Sequence, residues 1–235
     1  MLKEFYEAVG VGNTRLLFRI PGRLHFAINL ILVRIIDAIK GTNFLGGGYG
    51  RLLQDEIGVP VERANDYSAS PRDLIKTLKS LEIKNTDSIM DMGCGEGLAM
   101  YYMSRFPFRM IGGIELSEKL SQEAEKNLKI IMKDFQRIKL VCADAGKWNH
   151  YDKFNFFYIY NSFPRQVIIE VIERLNESLE KNPRKIVVMY LYPEFADEFE
   201  KNDNFILLKK GTKKEIREGM HIYVNRAYCQ EKVFK

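Results

Sequence analysis

Residues suited to cross-linking or metal binding are scarce in this chain. It has three cysteines in 235 residues: Cys94, Cys142 and Cys229, far apart and with no CxxC pair. That excludes a disulfide framework and favours a reducing compartment, so a cytoplasmic setting is expected. The three histidines, His25, His150 and His221, also stand apart. Neither HExxH nor a zinc-type cluster can be assembled, and no metal site is expected. Long apolar runs are missing as well. The strongest, RLHFAINLILVRIIDAI at 23–39, is broken by Asn29, Arg34 and Asp37 and falls short of the ~20 residues a transmembrane helix needs. It also lacks the small-residue cleavage site of a signal peptide. No repeat or low-complexity segment is present.

What is there is the material of a core. Hydrophobic residues make up 46% and charged residues 29%, the profile of an ordinary globular protein of one medium domain with an added segment. The net charge of +5 is a mild excess. It gathers at Arg15, Arg19, Arg23, Arg34 and Lys40, and again in KKGTKKEIR at 209–217. Such patches suit RNA, anionic lipid or an acidic substrate, although a solvated surface reads the same way.

The segment 1–65 differs from the rest. Pro21 suits the first turn of a helix over 23–39 and Gly41 suits its end. FLGGGYG at 44–50 reads as a turned connection. From residue 66 on, helices and strands alternate. Ser70 and Pro71 open a helix whose Leu74, Ile75, Leu78 and Leu81 keep helical spacing. SIMDM, RMIGGIEL, IKLVCAD, KFNFFYIYN and RKIVVMYLY are strands, separated by helices that include SEKLSQEAEKNLKIIMKDF with Ser117 as its cap. NFILLKK and MHIYVNRAYC close the chain as an antiparallel hairpin. The expected fold is α/β: a doubly wound, mostly parallel seven-stranded sheet with a C-terminal antiparallel hairpin and an N-terminal helical extension. The expected division is 1–65 for the extension and 66–235 for a Rossmann-like domain.

Such sheets bind ligands beyond the carboxyl ends of their strands. DMGCGEG stands at such an end, between a strand and a helix. Glycines there permit positive φ and a close approach of backbone to ligand, and the helix start presents unpaired N–H groups. The dinucleotide fingerprint GxGxxG requires Gly or Ala at its sixth position; counting from Gly93, that position holds Leu98. The loop is instead GxGxG, with Gly93, Gly95 and Gly97, preceded by the acid Asp91. Glu115 ends the next strand, about twenty residues on, where an acid accepts from ribose hydroxyls. Asp144 follows at the third strand end, where it can accept from an exocyclic amine while the Ala145 N–H faces an adenine ring nitrogen. One acid at a strand end reads as a turn residue or helix cap; a glycine loop and two acids on three successive strand ends read as a nucleoside site.

With these residues the sequence resembles the class I methyltransferases that use S-adenosylmethionine, over roughly residues 66 to 235. The resemblance implies that Asp91, Gly93, Gly95, Gly97, Glu115, Leu116, Asp144, Ala145 and Asn161 contact the cofactor. NDYSASPRDLIKTL followed by TDSIMDMGCGEG is also similar to a Dot1-like subgroup, which implies that Tyr67 and Ser70 fold over the methionine end. YNSFP, 160–164, resembles the Asn/Asp-Pro-Pro-Tyr/Phe motif of enzymes that methylate nitrogen. It departs from that motif in having Ser162 for the first Pro and its aromatic before Pro164. By this likeness Asn161 is the candidate catalytic residue and Ser162 and Phe163 meet the substrate. The same stretch also reads as a turn against the cofactor with Phe163 packed. Tyr192, near the end of the fifth strand, is a further candidate for the acceptor pocket.

The expected activity is transfer of a methyl group from S-adenosylmethionine to a nitrogen or oxygen of an unidentified acceptor: protein, small molecule or RNA. The alternatives are a nicotinamide-dependent oxidoreductase and a catalytically silent module that binds the cofactor. The segment 1–65 is expected to set substrate choice, its helix lying over the pocket as a lid, packing on the sheet, or resting on a membrane surface through residues 15–40.

Overall fold

Three strand sequences are mostly apolar because almost nothing along them meets water. β1 (Ser88–Met92), β4 (Phe156–Tyr160) and β5 (Val187–Leu191) are buried at every residue, as central strands of a parallel sheet covered on both faces must be. The computed structural model describes residues 22–45, 63, 71–211 and 219–235. The remaining strands are β2 (Met110–Glu115), β3 (Ile138–Cys142), β6 (Phe205–Lys209) and β7 (Met220–Asn225). The helices are α1 (Gly22–Lys40), α2 (Pro71–Ser80), α3 (Leu98–Met103), α4 (Glu118–Ile131), α5 (Arg165–Lys181) and α6 (Ala196–Glu200).

The sheet has seven strands in the order β3-β2-β1-β4-β5-β7-β6. β7 pairs antiparallel with both β5 and β6, and every other pairing is parallel. This is the doubly wound sheet with a closing hairpin that the alternation of elements implied. The order reverses between β1 and β4, and a crevice at such a reversal is where these sheets hold ligands.

Register decides which side chains can meet there. Asp91 of β1 stands opposite Gly113 of β2 and Tyr158 of β4, so Asp91 and Tyr158 project to the same face of the sheet. That face is covered by α2, α3 and α4 through Leu74, Leu78, Tyr102, Met103 and Leu128; the opposite face packs Met90, Phe157 and Ile159 against Val167, Ile168 and Leu175 of α5. Burying each large apolar side chain of this kind stabilises by about 1.5–3 kcal/mol. Gly113 leaves room beneath α3, since a Cβ there would lie 2.4 Å from Met100 Sδ and 2.8 Å from Cys94 Sγ. α3 and the loop before it therefore sit close against β2.

The described part of the N-terminal segment joins this core. Val33, Phe44 and Leu45 are buried in one cluster with Leu74, Leu98 and Tyr102, while Ile31 and Ile39 of α1 are exposed. Asp37 Oδ1 accepts from Thr42 Oγ1 and the Phe44 N–H, at 2.7 and 3.0 Å, tying the end of α1 to the turn after it. No described helix is long and apolar enough to cross a membrane. Most of FLGGGYG and residues 212–218 of the basic C-terminal patch lie outside the described residues.

Candidate active site

The glycine loop leaves β1 with all three glycines at positive φ: 80° at Gly93, 50° at Gly95 and 87° at Gly97. Gly93 is needed twice over. Its φ is in the left-handed region that a Cβ disfavours, and that Cβ would fall 2.7 Å from the Ser162 Cβ. The loop therefore touches the tip of β4 at this point. At Gly95 no described residue lies within 4 Å of the place a Cβ would occupy, so the backbone there is left uncovered by them.

Two acids hold the loop in different ways. Glu115, at the tip of β2, accepts the Gly95 N–H on Oε2 and the Ser117 N–H on Oε1, both at 2.9 Å. Burial pushes its carboxyl up, and the N–H groups of Ser117, Gly95 and Leu116 pull it back down. Each oxygen keeps a second lone pair for a ribose hydroxyl. Asp91 is 3% exposed, and its Oδ2 has no hydrogen-bond partner among the described residues. Burial holds its carboxyl well above the usual carboxylate range, and the Glu115 charge adds to this. A buried carboxyl oxygen with no donor suits a cationic ligand.

Asp91, Gly93, Gly95 and Ser162 line one cleft, together with Phe44, Cys94, Tyr158 and Tyr160. Burial, then Asp91 and Glu115, push the Cys94 thiol well up, so it stays protonated and inert at neutral pH. At the rim, Asn161 and Tyr192 hold φ of 45° and 51°, sparsely populated values for residues with a side chain. They end neighbouring strands, β4 and β5. Asn161 Nδ2 donates to Glu194 Oε2 at 3.1 Å, and Tyr190 Oη donates to Asn161 Oδ1 at 3.5 Å. Tyr192 packs beside Tyr160 with ring centroids 5.6 Å apart. Phe163 is buried among core residues, and a Cβ on Gly93 would lie 3.7 Å from its ring.

Asp144 is placed otherwise. It lies two residues beyond the end of β3, and its carboxylate takes a two-pronged contact from Arg63, Nε to Oδ2 at 2.9 Å and Nη2 to Oδ1 at 2.6 Å. Arg63 also reaches both oxygens of Glu170 on α5, at 3.1 and 2.6 Å. These bonds drive the Arg63 pKa upward. Asp144 and Ala145 are outside the cleft lining, at the next strand tip. Leu116 sits on the turn after Glu115, where its carbonyl accepts from Cys142 Sγ at 3.8 Å. Tyr67 and Ser70 lie outside the described residues.

Three residues missed in the sequence shape this region: Phe44 in the cleft, Asn127 behind it and Arg63 at Asp144. Phe44 is brought to the cleft by Asn127 of α4, which is 0% exposed. Asn127 Nδ2 donates to the Glu96 carbonyl at 3.1 Å and its Oδ1 accepts the Asn43 N–H at 2.7 Å. One amide thus joins the glycine loop to the N-terminal segment. Its signal was an Asn on the buried stripe of an amphipathic helix. The third is Arg63, whose isolated position in the sequence gave no sign of its partners.

This sheet order, with a glycine loop at the reversal and acids on the neighbouring strand tips, defines a Rossmann-like class I methyltransferase. The sequence profile of the protein-L-isoaspartate(D-aspartate) O-methyltransferase family matches residues 32–186. The chain belongs to that family. It is 27% identical over 133 residues to the protein-L-isoaspartate O-methyltransferase of Helicobacter pylori strain J99, a match taking in 55% of this chain and 63% of the relative. The enzyme of strain P12 is 26% identical over the same length, with the same coverage. The chain thus spans less than two thirds of these relatives. Among solved structures, the mitomycin 7-O-methyltransferase MmcR superposes with a TM-score of 0.53 at 13% identity, covering 68% of this chain and 54% of that one. StiE O-MT superposes at 0.51 with 9% identity, covering 65% and 72%. At these identities the likeness is one of fold.

S-adenosylmethionine is the cofactor of this class, and the residues fit it. Asp91 has an acceptor oxygen to spare, Gly95 leaves the loop backbone open, and Glu115 keeps acceptor lone pairs beside the Gly95 N–H. Neither the nicotinamide oxidoreductase nor the silent binding module is favoured beside this family membership. Among the described residues no group of three or more His, Cys, Asp or Glu is placed to hold a metal ion.

Proposed function

We propose that the protein methylates a carboxylate oxygen, with the free α-carboxylate of an isoaspartyl residue in a protein or peptide as acceptor. Membership of the isoaspartate O-methyltransferase family over residues 32–186 carries this reading. The site supports it at Asn161. An enzyme directing an N–H lone pair at the methyl group needs an acceptor presented outward at this strand tip. Here the Asn161 amide is engaged at both ends, by Glu194 and Tyr190, so it serves as a fixed turn. A carboxylate needs no such acceptor, because it carries no proton to direct.

When bound, S-adenosylmethionine supplies a methyl group already activated on a sulfonium. The acceptor oxygen forms the new O–C bond as the S–C bond breaks, and the sulfur keeps the electron pair. A methyl ester forms, and no proton moves. The chain's task is therefore alignment and exclusion of water, which can supply about 7–11 kcal/mol of the barrier in favourable cases. Gly93 and Gly95 bring the loop backbone to the ligand, Glu115 fixes the loop, and Asp91 neutralises the cationic end. Tyr160 and Ser162 line the side at which the acceptor arrives, with Tyr192 packed behind Tyr160.

The experiment is to incubate the protein with methyl-labelled cofactor and paired peptides differing only in isoaspartyl or aspartyl linkage. Base-labile label on the isoaspartyl peptide alone is expected. Label that enters neither peptide but enters RNA or small metabolites of a fractionated lysate would end the isoaspartyl reading.

A further inference from the structure

The cleft contains a polar atom that the functional reading does not use. Tyr158 lies in the middle of β4, among strand residues that are otherwise apolar or aromatic, and is 1% exposed. Its hydroxyl has no hydrogen-bond partner among the described residues, although it lines the same cleft as Asp91 and Gly93. Leaving a buried hydroxyl unpaired is unfavourable, and Phe would fill the same space without that penalty. Its neighbours β4 Phe156 and Phe157 are in fact Phe.

The register adds a second observation. Asp91 is the Cα partner of Tyr158 across the β1–β4 pair, and its Oδ2 is also without a partner. Two fully buried, unpaired polar atoms thus stand on adjacent strands, on one face, in one cleft. Facing a cation, Asp91 is ionised and accepts only; the Tyr158 hydroxyl can both accept and donate. Burial, then the Asp91 charge, push the Tyr158 hydroxyl well up, so it keeps its proton at neutral pH. An ammonium beside a carboxylate, the two ends of a zwitterionic amino acid, satisfies both atoms together. An adenine or ribose group offers no formal positive charge for Asp91.

We propose that the Tyr158 hydroxyl, paired with Asp91, selects the amino-acid end of the cofactor: it accepts from the ammonium that Asp91 neutralises and donates to the neighbouring carboxylate. Tyr158 is thereby a specificity residue, discriminating ligands that carry this end from adenosine thioethers that lack it. The inference rests on the cofactor assignment above and adds a residue to it.

The test is calorimetry on the full chain, comparing wild type with Tyr158→Phe. S-adenosylhomocysteine carries the amino-acid end, and 5′-methylthioadenosine lacks it. The variant is expected to bind S-adenosylhomocysteine about tenfold more weakly, in keeping with loss of a hydrogen bond to a charged group, and 5′-methylthioadenosine as wild type does. Its melting temperature without ligand is expected to equal or exceed that of wild type, because an unpaired buried hydroxyl has been removed. Unchanged affinity for S-adenosylhomocysteine would overturn the inference and leave the cofactor assignment standing. An equal fall for both ligands with a lowered melting temperature would assign Tyr158 a structural role and overturn it too. A wild-type protein that binds neither ligand would remove the inference together with the assignment beneath it.

Discussion

The Glu115 carboxylate and the Gly95 amide, twenty residues apart in the chain, are joined by a 2.9 Å hydrogen bond that closes the glycine loop onto the tip of β2. The other oxygen of Glu115 takes the Ser117 N–H at the start of α4. The residue expected to meet the ribose is therefore also the one that shapes the loop. Glu115→Gln would present an NH2 group to one of these two donors. It is predicted to destabilise the fold by about 1–3 kcal/mol and to weaken cofactor binding, read by urea unfolding and ligand titration on the same samples. A fall in affinity with no change in stability would show that the loop does not depend on this carboxylate.

Asp91 predicts a dependence on pH. Burial raises its folded-state pKa well above the ordinary 3.8, so the native chain holds a proton that the unfolded chain has lost. Its contribution to stability is full below about pH 4 and declines as pH rises toward the folded-state value. Glu115, raised in the same direction, acts alike. Between pH 5 and 8 the ligand-free wild type is thus predicted to lose stability relative to Asp91→Asn, which does not titrate. Denaturant midpoints across that range check the difference; parallel curves would contradict it.

Much of the architecture is legible in the sequence alone. SIMDM, at 88–92, keeps the bounds its pattern implied, because a strand buried on both faces writes that burial directly into its composition. Ser117 caps α4 as its position implied, accepting from the Leu120 N–H at 3.3 Å. The glycine loop was legible for the same reason, since positive φ restricts the residue type. Asn127, Arg63 and Tyr158 were not. Their roles depend on partners 31 to 107 residues distant or on a register between strands, and one-dimensional spacing carries neither. Asp144 was legible as a strand-end acid, but its ion pair with Arg63 was not.

That ion pair invites a stability measurement. Arg63 is held by Asp144 and Glu170 with side-chain exposures of 17%, 16% and 23%, so solvent screening is only partial. Arg63→Gln leaves two carboxylates facing each other with weaker donors between them. A loss of about 1–2 kcal/mol is predicted, together with a lower melting temperature that added salt partly restores. An unchanged midpoint would mean that the clasp contributes nothing measurable.

Asn161 tests the strained rim. With φ at 45°, Asn161→Gly is predicted to fold at least as stably as wild type, whereas Asn161→Val should lose about 1–3 kcal/mol. Both lack the amide that meets Glu194, so both should lose methyl transfer if the turn positions the acceptor. Full activity in the glycine variant would remove Asn161 from the machinery while leaving its backbone role intact.

The account depends above all on what the cleft between β1 and β4 holds. Equilibrium binding of labelled S-adenosylmethionine to the full chain addresses this most directly, with unlabelled S-adenosylhomocysteine and NAD as competitors. One saturable site per chain, emptied by S-adenosylhomocysteine and untouched by NAD, is the predicted result. Displacement by NAD, or no saturable binding at all, would contradict it.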